Sequence, residues 1–296
     1  MVLRYNKSSL TADVSDMDRL TTQFLVSRRV RGCTASTVAM YTQIMAVLAD
    51  LAQGQFDTVD RHDIERYLAD ALDSGLSSAT VRNYLSVWRA FFNWLVEADL
   101  CSQNPTRHIR IKDRTTPPDT LTTQEIERVM RVWPRGFIGD RNRLVVLLGY
   151  DAMLRRQEIV DLAVRDIDIP GKTLLVRRSK SGRPRTVAYS QRTAMATLHY
   201  ITRYHPAPYL ITSKSGRRLA GGSVWAVLKR AAAKCGLSLH PHQLRHSGAT
   251  EFIRRGGSIE ILRRNLGHAS LTTTQVYLHN SIDDQRDWAD RCCPLS

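Results

Sequence analysis

Between residues 14 and 108, apolar side chains recur three and four positions apart, the spacing of helices that bury one face. Leu20, Phe24 and Leu25 form one stripe, and Val38, Tyr41, Ile44, Met45 and Leu48 a second whose start Thr34 or Ser36 is placed to cap. A third helix is expected from about Asp60, carrying Ile64, Tyr67, Leu68 and Leu72 before Gly75. The fourth pattern is the plainest. Ser77 and Ser78 precede a run in which Val81, Tyr84, Leu85, Trp88, Phe91, Phe92 and Leu95 share one broad face, with Arg82 and Arg89 elsewhere on the helix. Four such helices enclose a core of their own, and Trp88, Phe91, Phe92 and Trp94 read mainly as its packing.

Periodicity stops over residues 111–123 (IKDRTTPPDTLTT), a polar stretch with Pro117 and Pro118 that reads as a linker. Beyond it, helical patterns are expected at 125–132, 141–150, 191–204, 223–235, 241–255 and 259–266. Between them, DIDIPGKTLLVRRSKSGRPRTVAYS reads as short strands joined by turns at Pro170-Gly171 and Ser181-Gly182. The expected fold class is mainly α with a small antiparallel β-sheet. It divides into a helical domain at about 10–110, a linker at 111–120 and a mixed α/β domain at 121–296. No internal repeat or low-complexity tract is present.

Composition sharpens this picture in two ways. The 296 residues carry 43 Lys and Arg against 28 Asp and Glu, a net charge of +15, with 43% hydrophobic and 24% charged residues. That is globular composition at a length that usually holds two domains, and the charge is lopsided. Residues 1–112 hold 13 basic and 12 acidic side chains, so nearly the whole excess lies beyond the linker and points to a polyanionic partner. No apolar run approaches the roughly 18 residues of a membrane span, the longest lying near Leu144 to Tyr150, and MVLRYNKSSL has no signal-peptide core. Cys33, Cys101, Cys235, Cys292 and Cys293 are odd in number and lack CxxC spacing, so free thiols and a cytoplasmic location are expected.

Five of the nine histidines fall between His240 and His279, interleaved with arginines. In HPHQLRHSGAT, Pro241 suits the first helical position, and His242 and Arg245 lie three apart on one face where both can reach one anion. In LGHASLTTTQVYLH, Gly267 ends a helix, His268 follows it, and Tyr277 comes nine residues later in what should be a short helix.

These two segments together resemble the signature of the tyrosine recombinases, the phage integrase family, and most of all its short Xer-type members. The resemblance implies catalytic roles for Arg245 of HQLR, His242, His268 of LGH and the nucleophile Tyr277. AMLRRQE places Arg155 at the family's first arginine and Glu158 at its acidic position, with Arg156 an alternative and Met153 standing where the family usually has Gly. RRSKSGRPRTV puts Lys180 on the hairpin that carries the family's lysine, with Lys172 and Lys214 as rivals. The match runs over about 120–280, and SSATVRNYLSVWRAFFNWLV with Asn104-Pro105 is similar to the family's core-binding domain. With the core-binding pattern starting this early in the sequence, the additional arm-binding domain of lambda-type integrases is not expected.

The chemistry agrees with the resemblance. A phenol with a pKa of about 10 is about one part in a thousand ionised at neutral pH, so a tyrosine nucleophile needs nearby positive charge or a base. Arginine forks and imidazoles can stabilise the two non-bridging oxygens of a pentavalent phosphorus where a nuclease would use Mg²⁺, and a lysine can protonate the leaving 5′ oxygen. Neither metal nor nucleotide cofactor is expected.

The resemblance implies a C-shaped clamp on duplex DNA, with dimers on inverted half-sites, a homo-tetramer on synapsed sites and strand exchange through a Holliday junction. It also implies a docking tail at 280–296 and leaves room for accessory proteins. Arg82, Arg89, Arg177, Arg178, Arg183 and Arg185 are the candidate DNA-backbone contacts, and the basic run 229–234 is a half-exposed face. Three other readings stand beside this one: a zinc site at His240, His242 and His246, which Gln243 and Arg245 disfavour; a type IB topoisomerase-like enzyme; and an inactive DNA-binding accessory protein.

Overall fold

The computed structural model describes residues 16–53, 55–112, 120–177, 184–268 and 270–277. They form two compact units, one ending at Lys112 and one starting at Thr120. The first comprises α1 (Asp16–Val30), α2 (Ala35–Leu51), α3 (Arg61–Asp73) and α4 (Ser78–Glu97). Hydroxyl or carboxylate caps start three of them. Thr34 rather than Ser36 accepts from the Thr37 amide, Asp60 and Asp63 make a reciprocal capping box, and Ser77 accepts from Thr80. The buried stripes meet in one core of Met17, Phe24, Met45, Leu48, Ile64, Leu85, Trp88 and Phe91, where the Trp88 indole donates to the Ile44 carbonyl at 3.1 Å. Leu72 departs from the expected face and is 39% exposed.

The second unit contains α5 (Thr123–Arg131), α6 (Phe137–Tyr150), α7 (Arg156–Asp161), α8 (Gln191–Tyr204), α9 (Gly221–Ala233), α10 (Pro241–Arg254) and α11 (Ile259–Leu266). Leu121 is already buried in this unit's core with its amide on Ser247 Oγ, and Thr122 caps α5 in a box with Glu125. Helix α7 was not visible as a pattern, because six residues are too few to show a period. Strands β1 (Ile167–Asp168), β2 (Thr173–Val176) and β3 (Arg185–Ala188) pair antiparallel in that order and turn Leu174, Val176 and Val187 inward. The fold is mainly helical with one small antiparallel sheet, as the pattern predicted. The turn expected at Ser181-Gly182 lies outside the described residues.

Helix α6 is central, with residues 144–149 all buried and α10 crossing it. The crossing requires small residues. A Cβ on Gly149 would stand 2.6 Å from Leu244 Cδ2, and one on Gly248 would run into the Tyr150 carbonyl. Backbone cannot yield as a side-chain tip can, so Gly248→Ala should lower unfolding stability by about 2–4 kcal/mol. The midpoint of urea unfolding measures this; a variant within about 0.5 kcal/mol of wild type would show that the crossing tolerates a methyl group.

Candidate active site

Five of the six catalytic candidates, together with Arg185, gather on the second unit near one buried carboxylate. Glu158, 5% exposed, lies in the first turn of α7, and its oxygens accept from the Arg155 amide at 2.8 Å and from Arg155 Nη1 at 3.1 Å. Arg185 sends Nη1 and Nη2 to the two oxygens at 2.8 Å each, and Arg245 Nη1 stands 3.7 Å away. Burial raises the Glu158 pKa, but the guanidinium groups win and hold it below the ordinary carboxylate range. Three guanidinium groups on one carboxylate leave the cluster with a net charge of about +2 when the imidazoles are neutral.

Arg245 is almost completely buried on α10, donating from Nη1 to Met153 O at 2.6 Å and from Nη2 to Leu266 O at 2.7 Å. Burial first, then Arg155 beside it, pushes its pKa down to about 9, so it remains a cation at neutral pH. Met153, in the place where glycine is usual, has φ of +51°. A side chain in the left-handed region costs about 1 kcal/mol, and the carbonyl that this conformation presents is the one Arg245 takes. Arg155, not Arg156, is the arginine of the cluster. Arg156 is exposed and lies against Gly221 at the start of α9.

His268 follows Gly267, whose φ of +66° ends α11 in the left-handed region. Its Nδ1 lies 3.1 Å from the hydroxyl of the fully buried Thr274. Burial, and then Arg245, Arg155, Arg185 and His242, lower the His268 pKa to about 4, so the ring is neutral at physiological pH. His242, in the first turn of α10, opens to solvent, yet partial desolvation and the charges of Arg245, His240 and Arg155 lower its pKa as well. His240 has a different task, since its Nδ1 caps α10 by accepting from the Gln243 amide at 3.1 Å. That occupies one nitrogen of the zinc reading.

Tyr277 ends the 3-10 turn Gln275–Tyr277, and its amide donates to Thr274 O at 3.1 Å. Its ring is 9% exposed, packed with Met153, Ala249, Ile253, Leu262 and Leu266, and its centroid is 4.6 Å from that of His246. Burial raises the phenol pKa above its ordinary value, and the opposing pull of Arg245 and Arg155 does not outweigh it. Thr274 thus touches both His268 and Tyr277, through its hydroxyl and its carbonyl. Sequence reading passed over it as one of three consecutive threonines.

The remaining candidates divide. Lys180, Arg178 and Arg183 lie outside the described residues. The rivals Lys172 and Lys214 are exposed, Lys172 in the β1–β2 turn. Arg177 is exposed but paired with the buried Asp166, and Arg82 is half-buried on α4. Two expected DNA-backbone contacts turn inward. Arg89 donates to Thr106 O and Ile109 O at 3.2 and 2.8 Å, tying down the segment after α4, and Arg185 is the bidentate partner of Glu158. Each is used on main chain or carboxylate of its own unit, which local patterning does not reveal.

The sequence model described as the phage integrase family matches residues 119–283, more than half of the chain, and that of the phage integrase N-terminal SAM-like domain matches 20–101. The chain belongs to the phage integrase family. It is a tyrosine recombinase of Xer-like kind, acting in site-specific DNA recombination. Tyrosine recombinase XerA of Pyrococcus furiosus is 33% identical over 275 residues, covering 91% of this chain and 92% of that protein. In fold, the chain is similar to the Tn1549 transposon integrase in complex with transposon right end DNA, with a TM-score of 0.76 at 19% identity over 92% of this chain and 98% of that one. A lambda integrase tetramer bound to a Holliday junction gives 0.72 at 18% identity, over 86% and 77%. No helix among the described residues of this recombinase is long and apolar enough to cross a membrane.

Proposed function

We propose that Tyr277 is the nucleophile of this recombinase and that Arg155, Arg245, His242 and His268 bind the scissile phosphate. The observation that carries this is the convergence of the two arginines, His268 and Tyr277 from separate elements around Glu158, with an excess of positive charge and neutral imidazoles. Tyr277 Oη attacks phosphorus, a 3′-phosphotyrosyl bond forms, and the bond to the 5′ oxygen breaks. The phenol proton passes to a neutral imidazole, and the 5′ oxygen takes one from Lys180. Charge building on the non-bridging oxygens is met by the arginine forks. Attack by the 5′ hydroxyl of a second strand reverses these steps, so the ester conserves the bond and no nucleotide cofactor enters. Because Thr274 engages Nδ1, the Nε2 of His268 is the nitrogen left for the phosphate or the phenol.

The first unit would be the core-binding domain, with the protein dimeric on inverted half-sites and tetrameric on synapsed sites; lambda integrase bound to a Holliday junction is a tetramer. The proposed docking tail at 280–296 lies outside the described residues. The test is incubation, in EDTA, with nicked duplexes from the DNA flanking the gene. An SDS-resistant protein–DNA adduct is expected; tight binding without adduct would favour the accessory-protein reading.

The lowered His268 pKa sets a pH dependence. Its folded value of about 4 lies below the ordinary 6.5, so between these values the unfolded chain binds the extra proton. Its contribution to stability is complete above 6.5 and is lost as pH falls toward about 4. Adduct formation should accordingly show no step near 6.5 attributable to His268, and the fall of melting temperature from pH 7 to 5 should be smaller in His268→Gln. Equal slopes in both proteins would contradict the assignment.

A further inference from the structure

Arg185 opens β3, the strand that returns from the hairpin loop, where the sequence placed a phosphate contact. Its side chain is only 10% exposed. Nη1 and Nη2 grip both oxygens of Glu158, and Nε donates to the Asn265 carbonyl at 2.8 Å. Asn265 and Leu266 close α11, and their adjacent carbonyls go to Arg185 and Arg245 respectively. His268 leaves the helix two residues later through Gly267, where a Cβ would meet Arg185 Cδ at 3.1 Å. One guanidinium therefore joins three pieces of the site: the hairpin strand, the carboxylate that orients Arg155, and the helix end that presents His268.

We propose that Arg185 is a positioning residue, coupling the return strand of the hairpin to Glu158 and to the last turn of α11, and that it makes no contact with the DNA backbone. The inference rests on the site assignment above for what is being positioned. Without Arg185, the Glu158 carboxylate loses its bidentate partner and turns toward Arg155 and Arg245, drawing their forks away from a phosphate. The last turn of α11 loses one of its two guanidinium anchors. Misplacement of reacting groups by about 1 Å is enough for about a 100-fold loss of rate. Arg185 is also one of four groups, with Arg245, Arg155 and His242, whose charge disfavours the imidazolium form of His268.

Arg185→Gln and Arg185→Lys test this in three ways. Binding of plain duplex DNA should keep its salt dependence in both variants, whereas losing a phosphate contact would reduce the slope of log K against log salt by about 0.9. An NMR titration of His268 in the DNA-free protein should show its midpoint rising from about 4 in Arg185→Gln and staying near the wild-type value in Arg185→Lys, which keeps the charge. Adduct formation should fall about 100-fold in Arg185→Gln and less in Arg185→Lys. A role in folding alone would lower the melting temperature and leave the His268 midpoint in place. A reduced salt slope, or an unmoved midpoint in folded Arg185→Gln, overturns the proposal. Should Arg185→Gln not fold, the salt slope and adduct rate of Arg185→Lys decide, an unchanged rate counting against it. Absence of adduct with wild-type protein, alongside a shifted midpoint, would refute the function and leave the coupling standing.

Discussion

Tyr277→Phe should form no covalent adduct while binding DNA as tightly as wild type, within about twofold. The substitution removes one oxygen and leaves the ring among Met153, Ala249, Leu262 and Leu266 and against His246. Stability should therefore change by less than about 1 kcal/mol. Loss of a nucleophile takes catalysis down by about 10⁴-fold or more, below detection in a gel of SDS-resistant complexes. Arg155, Arg245 and His268 keep their places, so the phosphate still finds its two cations and its imidazole donor. Adduct formation by the Tyr277→Phe protein would assign attack to another group and with it overturn the reading of the site.

Arg245→Lys carries the second large effect, and separates geometry from charge. The substitution keeps a cation but replaces a planar fork by a single ammonium. Arg245 serves two carbonyls on different segments, Met153 O and Leu266 O, at a position that water barely reaches. A single ammonium cannot reproduce the two-pronged geometry that serves both carbonyls, and a buried carbonyl left unpaired costs about 1–3 kcal/mol. Cleavage should drop by about 10²–10³ because the paired donors to the developing oxyanion are lost. Single-turnover adduct formation, measured beside DNA affinity and urea unfolding, separates these effects. A parallel loss of affinity and rate would mean that Arg245 serves ground-state binding instead.

These two outcomes depend on residues whose legibility in the sequence differs from that of their surroundings. Arg245, His268 and Tyr277 could be picked out because the two segments that carry them together resemble the tyrosine recombinase signature; capping and helix-ending signals placed them on elements but gave them no role. The structure brings the three to one cluster. Locality made the helices readable. A stripe such as Leu20 and Phe24, or the face from Val81 to Leu95, buries itself wherever the partner helix stands, so its period survives in the sequence. The short strands were legible for the same reason, from turn residues beside alternating apolar positions.

What the sequence by itself determined is thus the longer helices and the strands, the basic charge beyond the linker and, through the family resemblance, the candidates for the reactive side chains. What only the tertiary structure decided is which cations remain available to a phosphate. Arg155 and Arg156 are neighbours with the same side chain, and only packing turns one to Glu158 and the other toward Gly221. Arg89 and Arg185 look like surface arginines in a list, yet both end on carbonyl groups many residues away. A guanidinium chooses its partner by three-dimensional proximity and by what burial leaves unpaired, and neither is a property of local spacing.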